Sequence, residues 1–170
     1  GRGHTFVGDL NNQHGKLAET LEQTLTQAGL AATKVEDIRQ RLWQKLAVNA
    51  AINPLVALNS VRNGELRGEA YADRVVAVVK EVAAIMFAEG IEPPNNSPGE
   101  DGWLALVWQV IENTANNKAS MLQDVEAKHP TERGAILGPL IESAQRHRLA
   151  CKELQALDNE IAALEASFNR

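Results

Sequence analysis

The sequence has one cysteine, no long apolar run and no concentration of basic residues. Cys151 alone cannot form a disulfide within the chain, and such cysteine usage is typical of a reducing compartment. No apolar run approaches the roughly 18 to 20 residues that a membrane-spanning helix needs. The 17 Lys and Arg residues are spread along a chain of net charge -5, so no basic stripe is available to pair with phosphates. These absences predict a cytoplasmic protein and argue against a membrane or a nucleic acid as partner.

Two kinds of site are also missing from the sequence. The four histidines do not stand at metal-ligand spacing with one another or with Cys151, so we predict no metal. No G-x-G-x-x-G motif lies between a strand and a helix, as it would in a Rossmann domain that binds a dinucleotide. The opening Gly1-x-Gly3 lacks both the length and the context of that motif.

The first residues differ from the rest of the chain. Thr5, Phe6 and Val7 have strand-forming side chains and lie between glycines. Because the sequence begins with neither an initiator methionine nor an apolar leader, we interpret residues 1–10 as the remnant of the last strand of a domain upstream. After them the strand signals vanish. Residues 11–170 have the length of one ordinary domain and are expected to form a helical one.

Helical spacing of apolar residues begins at Gly15 and defines the first helices. The first helix is expected to end at Gly29, and a long third helix, from about Gly68 to Glu89, is expected to stop at Gly90, because glycine readily terminates helices. The buried face of this third helix is predicted to carry Tyr71, Val75, Val78, Val79, Val82 and Ile85.

The second helix and the remainder of the chain complete an all-α prediction. The second helix runs from about Val35 to Asn53, where Pro54 is expected to break or kink it. A turn at Asn63-Gly64 and a proline-rich loop at 92–99 follow. The later helices are predicted at about 101–114, 118–128, 132–147 and 152–167.

Three polar residues share the predicted apolar face of the second helix. At 100° per residue, an apolar stripe from Ile38 to Leu46 spans about 80°, and Lys45, Asn49 and Asn53 fall at about -20°, 20° and 60°. A buried amide or ammonium without partners costs roughly 1 to 3 kcal/mol, so these groups are expected to line a pocket or a polar network. Spacing alone favours a structural explanation, in which asparagines cap neighbouring segments and the lysine extends its ammonium to water.

A second polar cluster follows the fourth predicted helix. Asn116, Asn117 and Ser120 are three or four residues apart and would share a helical face or a helix entrance. Further on, Glu132 follows Thr131. The simplest explanation of that pair is that Thr131 caps a helix and Glu132 lies in its first turn, where the helix dipole favours a carboxylate.

Two segments resemble the signature motifs of the ketopantoate reductase (2-dehydropantoate 2-reductase) family. Residues 43–58, WQKLAVNAAINPLVAL, are similar to the family pattern W-x-K-L-x-x-N-x-x-I-N-P-L-x-A-L. Residues 117–125, NKASMLQDV, followed by Thr131 and Glu132, are similar to its N-x-x-S-M-x-x-D-[VI] and T-E-[IV]-D. The resemblance implies that 1–10 end an absent Rossmann domain and that 11–170 form the helical substrate-binding domain, of the 6-phosphogluconate dehydrogenase C-terminal-like type.

The resemblance also implies a role for each residue of the second helix. Lys45 matches the lysine proposed as general acid, and Asn49 and Asn53 match asparagines that hold the substrate. The residue type suits the chemistry, because hydride addition to a ketone leaves an alkoxide, which an ammonium can both stabilise and protonate.

The downstream motif implies the remaining candidates. Ser120 matches the serine that contacts the substrate carboxylate, and Asn117 matches a further position near the substrate. Glu132 matches the glutamate that binds the substrate hydroxyl, and with Lys45 it completes the catalytic candidates. Neutral donors suit a carboxylate, and a carboxylate can accept a hydroxyl proton in a hydrogen bond.

The implied protein is an oxidoreductase that reduces 2-dehydropantoate to pantoate with NADPH, a step of pantothenate and coenzyme A biosynthesis. The implied partners are a small 2-oxo acid and the N-terminal Rossmann domain. That domain would bind most of the NADPH, so the 170 residues alone are expected to be inactive. A homodimer is left open, because helices without their partner domain expose apolar surface.

Departures from the family pattern leave two alternatives open. The family's aspartate two residues after its glutamate is Gly134 here, and the asparagine usually found before Gly138 is Leu137. One alternative is therefore a reductase of another 2-oxo acid in the same family. The other is a helical interaction module without chemistry of its own.

Overall fold

The computed structural model describes residues 3–11, 13–93 and 99–168, and the chain divides into two compact units, 1–43 and 44–170. Gly1 and Arg2 of the predicted opening strand segment, and 94–98 of the predicted loop, lie outside the described residues. The first unit contains β1 (Thr5–Val7), α1 (Gly15–Gln27), β2 (Ala32–Lys34) and the start of α2 (Ile38–Asn59). The second unit continues with a 3-10 helix (Asn63–Arg67), α3 (Glu69–Ala88), α4 (Gly99–Asn113), α5 (Ser120–Glu126), α6 (Arg133–Ile136), α7 (Gly138–His147) and α8 (Lys152–Ala166).

The first unit is a small β-α-β arrangement. β1 and β2 pair in parallel with Thr5 opposite Ala32, and α1 packs on both strands. The strand predicted at Thr5–Val7 is present, but β2 contradicts the expectation that no strand follows it. Ala32–Lys34 contains one β-branched residue, and the strand forms through its pairing with β1, which local sequence patterns do not report.

α2 continues through Pro54 to Asn59, so the predicted helix end at Asn53 is wrong and, of the two effects predicted for the proline, a break does not occur. Pro54 cannot donate a hydrogen bond to the carbonyl of Ala50, a loss that disfavours the helix by about 3 kcal/mol in isolation. All residues of 50–57 are buried, and packing around this segment outweighs the lost hydrogen bond.

α3 lies at the centre of the second unit and packs against the 3-10 helix, α4, α7 and α8. Its predicted buried face is confirmed except at Tyr71, which is half-buried. Gly90, at φ +70°, follows the helix end where the sequence predicts it. Glu81 of α3 accepts hydrogen bonds from the backbone N–H groups of Glu153 and Leu154, both at 3.0 Å, and so caps the start of α8.

The predicted helix at 132–147 consists of two helices, α6 and α7, which meet at Leu137 and Gly138. Pro139 lies in the first turn of α7, where a proline starts a helix rather than continuing one. The helical fold is otherwise confirmed. None of the described helices combines the length and the apolar character needed to cross a membrane.

Candidate functional site

Lys45, Asn49 and Asn53 lie on successive turns of α2, over about 12 Å of helix axis. Lys45 is exposed, Asn49 is half-buried and Asn53 is 7% exposed. The three side chains therefore form a line from solvent towards the core. We call this set the α2 polar line.

The inner end of the α2 polar line is an amide without a protein partner. No hydrogen bond joins the Asn53 side chain to another residue in the described part of the chain, and its amide atoms are not among those completely removed from solvent. Asn59, six residues later, instead donates from Nδ2 to the carbonyl of Leu55 at 2.7 Å. Asn53 thus keeps a donor and an acceptor available to a small polar ligand.

The predicted apolar stripe of this helix is only partly correct. Leu42 is 50% exposed, and Ile38 and Leu46 are half-buried. Lys45 is exposed and does not lie on a buried face, because burial of α2 changes along the helix rather than around it. The polar line is therefore a gradient in depth, which a projection down the helix axis does not reveal.

Asn117 and Ser120 are both exposed, and Ser120 is the first residue of α5. Backbone hydrogen bonds connect the preceding segment to the residues that follow α2: Asn63 N–H donates to the carbonyl of Asn117 at 3.1 Å, and Gly64 N–H donates to that of Ala115 at 3.0 Å. The segment that carries the second motif is thereby attached to the chain just beyond the α2 polar line.

Glu132 is exposed and precedes α6, and its carboxylate makes no hydrogen bond or ion pair with another described residue. The hydroxyl of Thr131 accepts a hydrogen bond from Arg133 N–H at 3.2 Å. The prediction that Thr131 caps a helix with Glu132 in its first turn is wrong by one residue, because Glu132 itself occupies the cap position of α6. Helix capping does not account for the glutamate side chain.

An ion-pair network holds the residues on either side of Glu132 against α8. Arg133 Nη1 lies 2.6 Å from Asp158 Oδ1, and its Nε lies 3.6 Å from Glu165 Oε2. Glu165 Oε1 accepts a hydrogen bond from Thr131 N–H at 2.7 Å. The sequence offers one signal for this network, an arginine where the family pattern has Ile or Val.

The charges of this network shift two pKa values. The hydrogen bond to Asp158 raises the pKa of Arg133, against the opposing effect of burial. Burial alone would raise the pKa of Glu165, but the hydrogen bonds from Thr131 and the charge of Arg133 outweigh it and lower the pKa below 4.5. Both groups are therefore held in their charged forms.

The structure brings some predicted residues together and leaves others apart. α2 aligns Lys45, Asn49 and Asn53, and the chain just after α2 holds the segment that includes Asn117. No described contact links Glu132 to either group, and the two described cavities, one beside α1 and one between Lys128 and Phe168, include none of the six candidates. Among residues 3–11, 13–93 and 99–168, no group of three His, Cys, Asp or Glu side chains could hold a metal ion.

Comparison with known proteins places the chain in a family. Residues 37–165 match the family described as "Ketopantoate reductase PanE/ApbA C terminal". The 2-dehydropantoate 2-reductase of Vibrio cholerae serotype O1 is 36% identical over 170 residues, which make up 100% of this chain and 55% of that protein. The chain thus spans about half the length of the curated relatives it matches.

Solved structures share the fold. The probable 2-dehydropantoate 2-reductase of Bacillus subtilis has a TM-score of 0.79 at 30% identity, covering 92% of this chain and 51% of that one. D-mandelate dehydrogenase, in a complex with NADH and anilino(oxo)acetate, has a TM-score of 0.84 at 23% identity, covering 96% of this chain and 66% of that one, which is a likeness of fold alone. From the match at 37–165 and the identity to the Vibrio protein, the chain belongs to the ketopantoate reductase family and carries its helical C-terminal domain.

Proposed function

We propose that this chain provides the substrate-binding and proton-donating part of an NADPH-dependent reductase that converts 2-dehydropantoate to pantoate. The observation that carries the proposal is the α2 polar line, which passes from solvent to an inner amide that has no partner among the residues that the structure describes. Because the Asn53 amide keeps some contact with solvent and no described residue binds it, a ligand can hydrogen-bond to it without displacing a protein contact. The name of the Vibrio relative supports the choice of reaction.

Lys45 is proposed as the proton donor. Hydride addition to the ketone carbon places negative charge on the oxygen, and an ammonium nearby stabilises that charge and supplies the proton. Because Lys45 is exposed, the neutral amine that remains can take up a proton from solvent before the next turnover.

The other candidates are proposed to bind and orient the substrate. The amides of Asn49, Asn53 and Asn117 and the hydroxyl of Ser120 offer neutral donors to the carboxylate and the carbonyl. The free carboxylate of Glu132 accepts a hydrogen bond from the substrate hydroxyl. Together they hold the ketone carbon in one orientation, which accelerates the reaction by avoiding the entropy cost of alignment.

The nicotinamide cofactor, which we propose to be NADPH, supplies the hydride when bound. The described residues do not fit a phosphate-binding loop. Gly8 follows a strand, but a Cβ there would lie 2.5 Å from Cβ of Ile38, so packing explains that glycine. We therefore propose that an N-terminal Rossmann domain of the same protein holds most of the cofactor.

The test uses the full-length protein that contains this chain. NADPH absorbance is followed with 2-dehydropantoate, and pantoate is identified as the product. We expect turnover by the full-length protein and none by the 170-residue chain alone. The proposal would be contradicted if the full-length protein failed to oxidise NADPH with every 2-oxo acid tested.

A second candidate substrate is another 2-oxo acid. It is favoured by the residues after Glu132, where Arg133 is drawn towards α8 and Gly134 and Leu137 replace polar residues of the family pattern. A panel of 2-oxo acids, aliphatic and aromatic, distinguishes the two by kcat/KM. We expect 2-dehydropantoate to give the highest value, and a higher value for another acid would select the second candidate.

A further inference from the structure

The chain just after α2 is fastened to the segment that leads into α5. Asn63 N–H donates to the carbonyl of Asn117 at 3.1 Å and Gly64 N–H to that of Ala115 at 3.0 Å, while the guanidinium of Arg62 donates to the carbonyl of Asn116. Three successive residues thus donate to three successive carbonyls. We call this contact the Asn63-Gly64 joint.

Asn63 supports the joint from inside. It is 7% exposed, and its Nδ2 donates to the hydroxyl of Thr114 at 2.9 Å, which in turn donates to the carbonyl of Val110 at 2.7 Å. Through Nδ2 the buried asparagine ties the 3-10 helix to the C-terminal end of α4 as well as to the segment that follows α4, while its Oδ1 has no partner among the described residues.

Gly64 is required by the closeness of the joint. A Cβ at this position would lie 2.7 Å from Cβ of Ala115 and 3.0 Å from its Cα. Real Cβ atoms do not approach other atoms so closely, and the Ala115 backbone cannot rotate away as a flexible side chain would. Any larger residue at 64 must therefore displace the segment around Ala115.

We propose that Asn63 and Gly64 are positioning residues that set the distance between two parts of the substrate site, the α2 polar line and the segment with Asn117 and Ser120. This inference rests on the proposed function. The buried segment 50–57 holds Asn53 in place, about 9 Å of helix axis before α2 ends. A change at Gly64 therefore moves the exposed segment rather than α2.

The direct test is Gly64→Ala in the full-length reductase. Displacement of Asn117 and Ser120 by a fraction of an ångström to about 1 Å should raise KM for the 2-oxo acid by about tenfold. The change in kcat should be smaller, because Lys45 is not on the displaced segment, and KM for NADPH should stay constant. Gly138→Ala is the matched control, since a Cβ there would meet nothing within 4 Å.

Rescue separates positioning from general damage. Ala115→Gly removes the nearest atom that a new side chain at 64 would meet and leaves the backbone contacts at 3.0 and 3.1 Å, so the double variant Gly64→Ala with Ala115→Gly should recover part of the lost affinity. Should Gly64→Ala fail to fold, Arg62→Ala removes only the exposed donor to Asn116 and should raise the same KM about two- to threefold.

The outcomes are distinguishable. A selective rise in KM for the 2-oxo acid, with rescue, supports the positioning role. If the wild type is active and Gly64→Ala leaves KM for the 2-oxo acid unchanged, the positioning role is overturned and the proposed function stands. The same conclusion follows if Gly64→Ala worsens kcat and both KM values together and the double variant does not restore them. A wild type inactive on every 2-oxo acid removes the proposed function and this role with it.

Discussion

The α2 polar line and the surroundings of Glu132 are held in place by different forces. Lys45, Asn49 and Asn53 lie on one continuous helix in which residues 50–57 are all buried. Glu132 lies between short helices, and the carboxylates of α8 anchor its neighbours through ion pairs at the edge of the domain. Because packing holds the α2 polar line, its stability should be insensitive to salt and pH. The stability of the ion-paired region around Glu132 should respond to both.

The largest expected effect comes from the outer end of the α2 polar line. Lys45→Ala removes the proposed proton donor and should lower kcat of the full-length protein by roughly two to four orders of magnitude. Lys152→Ala is the control, because Lys152 is also an exposed lysine, at the start of α8. Equal activity of the two variants would exclude the role assigned to Lys45.

The packing of α2 can be broken without touching the polar line. Leu55 is 0% exposed, so Leu55→Ala should lower the free energy of unfolding by about 2 to 5 kcal/mol. Leu42→Ala on the same helix should cost much less, since Leu42 is 50% exposed. Denaturant unfolding measures both, and a change in salt concentration should leave their difference constant. Similar costs for the two variants would show that α2 is not buried as described.

The ion-pair network next to Glu132 should give a smaller effect that depends on conditions. Arg133→Ala should lower the free energy of unfolding by about 1 kcal/mol in low salt, and by less in high salt. Because the folded-state pKa of Glu165 is depressed below 4.5, its contribution is present above that pH and is lost as the pH falls through the folded-state pKa.

The control for this prediction is Glu165→Gln, which has no carboxylate at 165. The decrease in the free energy of unfolding at low pH should therefore be smaller in this variant than in the wild type. Unfolding measured from pH 6 down to about pH 3 compares the variants with the wild type. A free energy of unfolding that falls equally steeply in Glu165→Gln and in the wild type would show that this carboxylate is not stabilised by the network.

Local rules of the sequence predict those features that depend on one or two residues. Gly90 ends α3 because it adopts φ +70°, a property of the residue itself. Pro54 by itself disfavours a helix interior, which is also a property of the residue, but the burial of residues 50–57 outweighs that effect and the helix continues. β2 is absent from the prediction because its strand depends on pairing with β1, far away in the sequence.

In the candidate site, too, some features follow from the local sequence and others depend on residues distant in sequence. Matching motifs identify Lys45, Asn53 and Glu132 as candidates, since motifs are local. The depth of Asn53 and the network around Arg133 depend on elements distant in sequence, such as Asp158 on α8, and neither follows from spacing. Asn63-Gly64 is predicted as a turn and forms the start of a 3-10 helix, and its contact with Ala115 appears only in the folded chain.

The central claim is that the inner amide of the α2 polar line serves a ligand rather than the fold. The chain offers a pair for this test, because Asn53 and Asn63 are both 7% exposed, and among the described residues only Asn63 has a side-chain partner: its Nδ2 donates to the hydroxyl of Thr114, while its Oδ1 is buried without a partner. Replacement by leucine keeps the approximate volume and removes the amide in either case.

The decisive measurement is the free energy of unfolding of Asn53→Leu and Asn63→Leu, together with KM for the 2-oxo acid. Asn53→Leu should keep or increase stability, by up to about 1 kcal/mol, because no described protein hydrogen bond is lost. The same variant should raise KM for the 2-oxo acid at least tenfold, because the proposed substrate-binding amide is removed. Asn63→Leu should lower stability by about 1 kcal/mol, because the hydrogen bond from its Nδ2 to Thr114 is lost, while removal of the unpartnered Oδ1 offsets part of that loss. A loss of stability in Asn53→Leu with KM unchanged would show that Asn53 is a structural residue and would contradict the account.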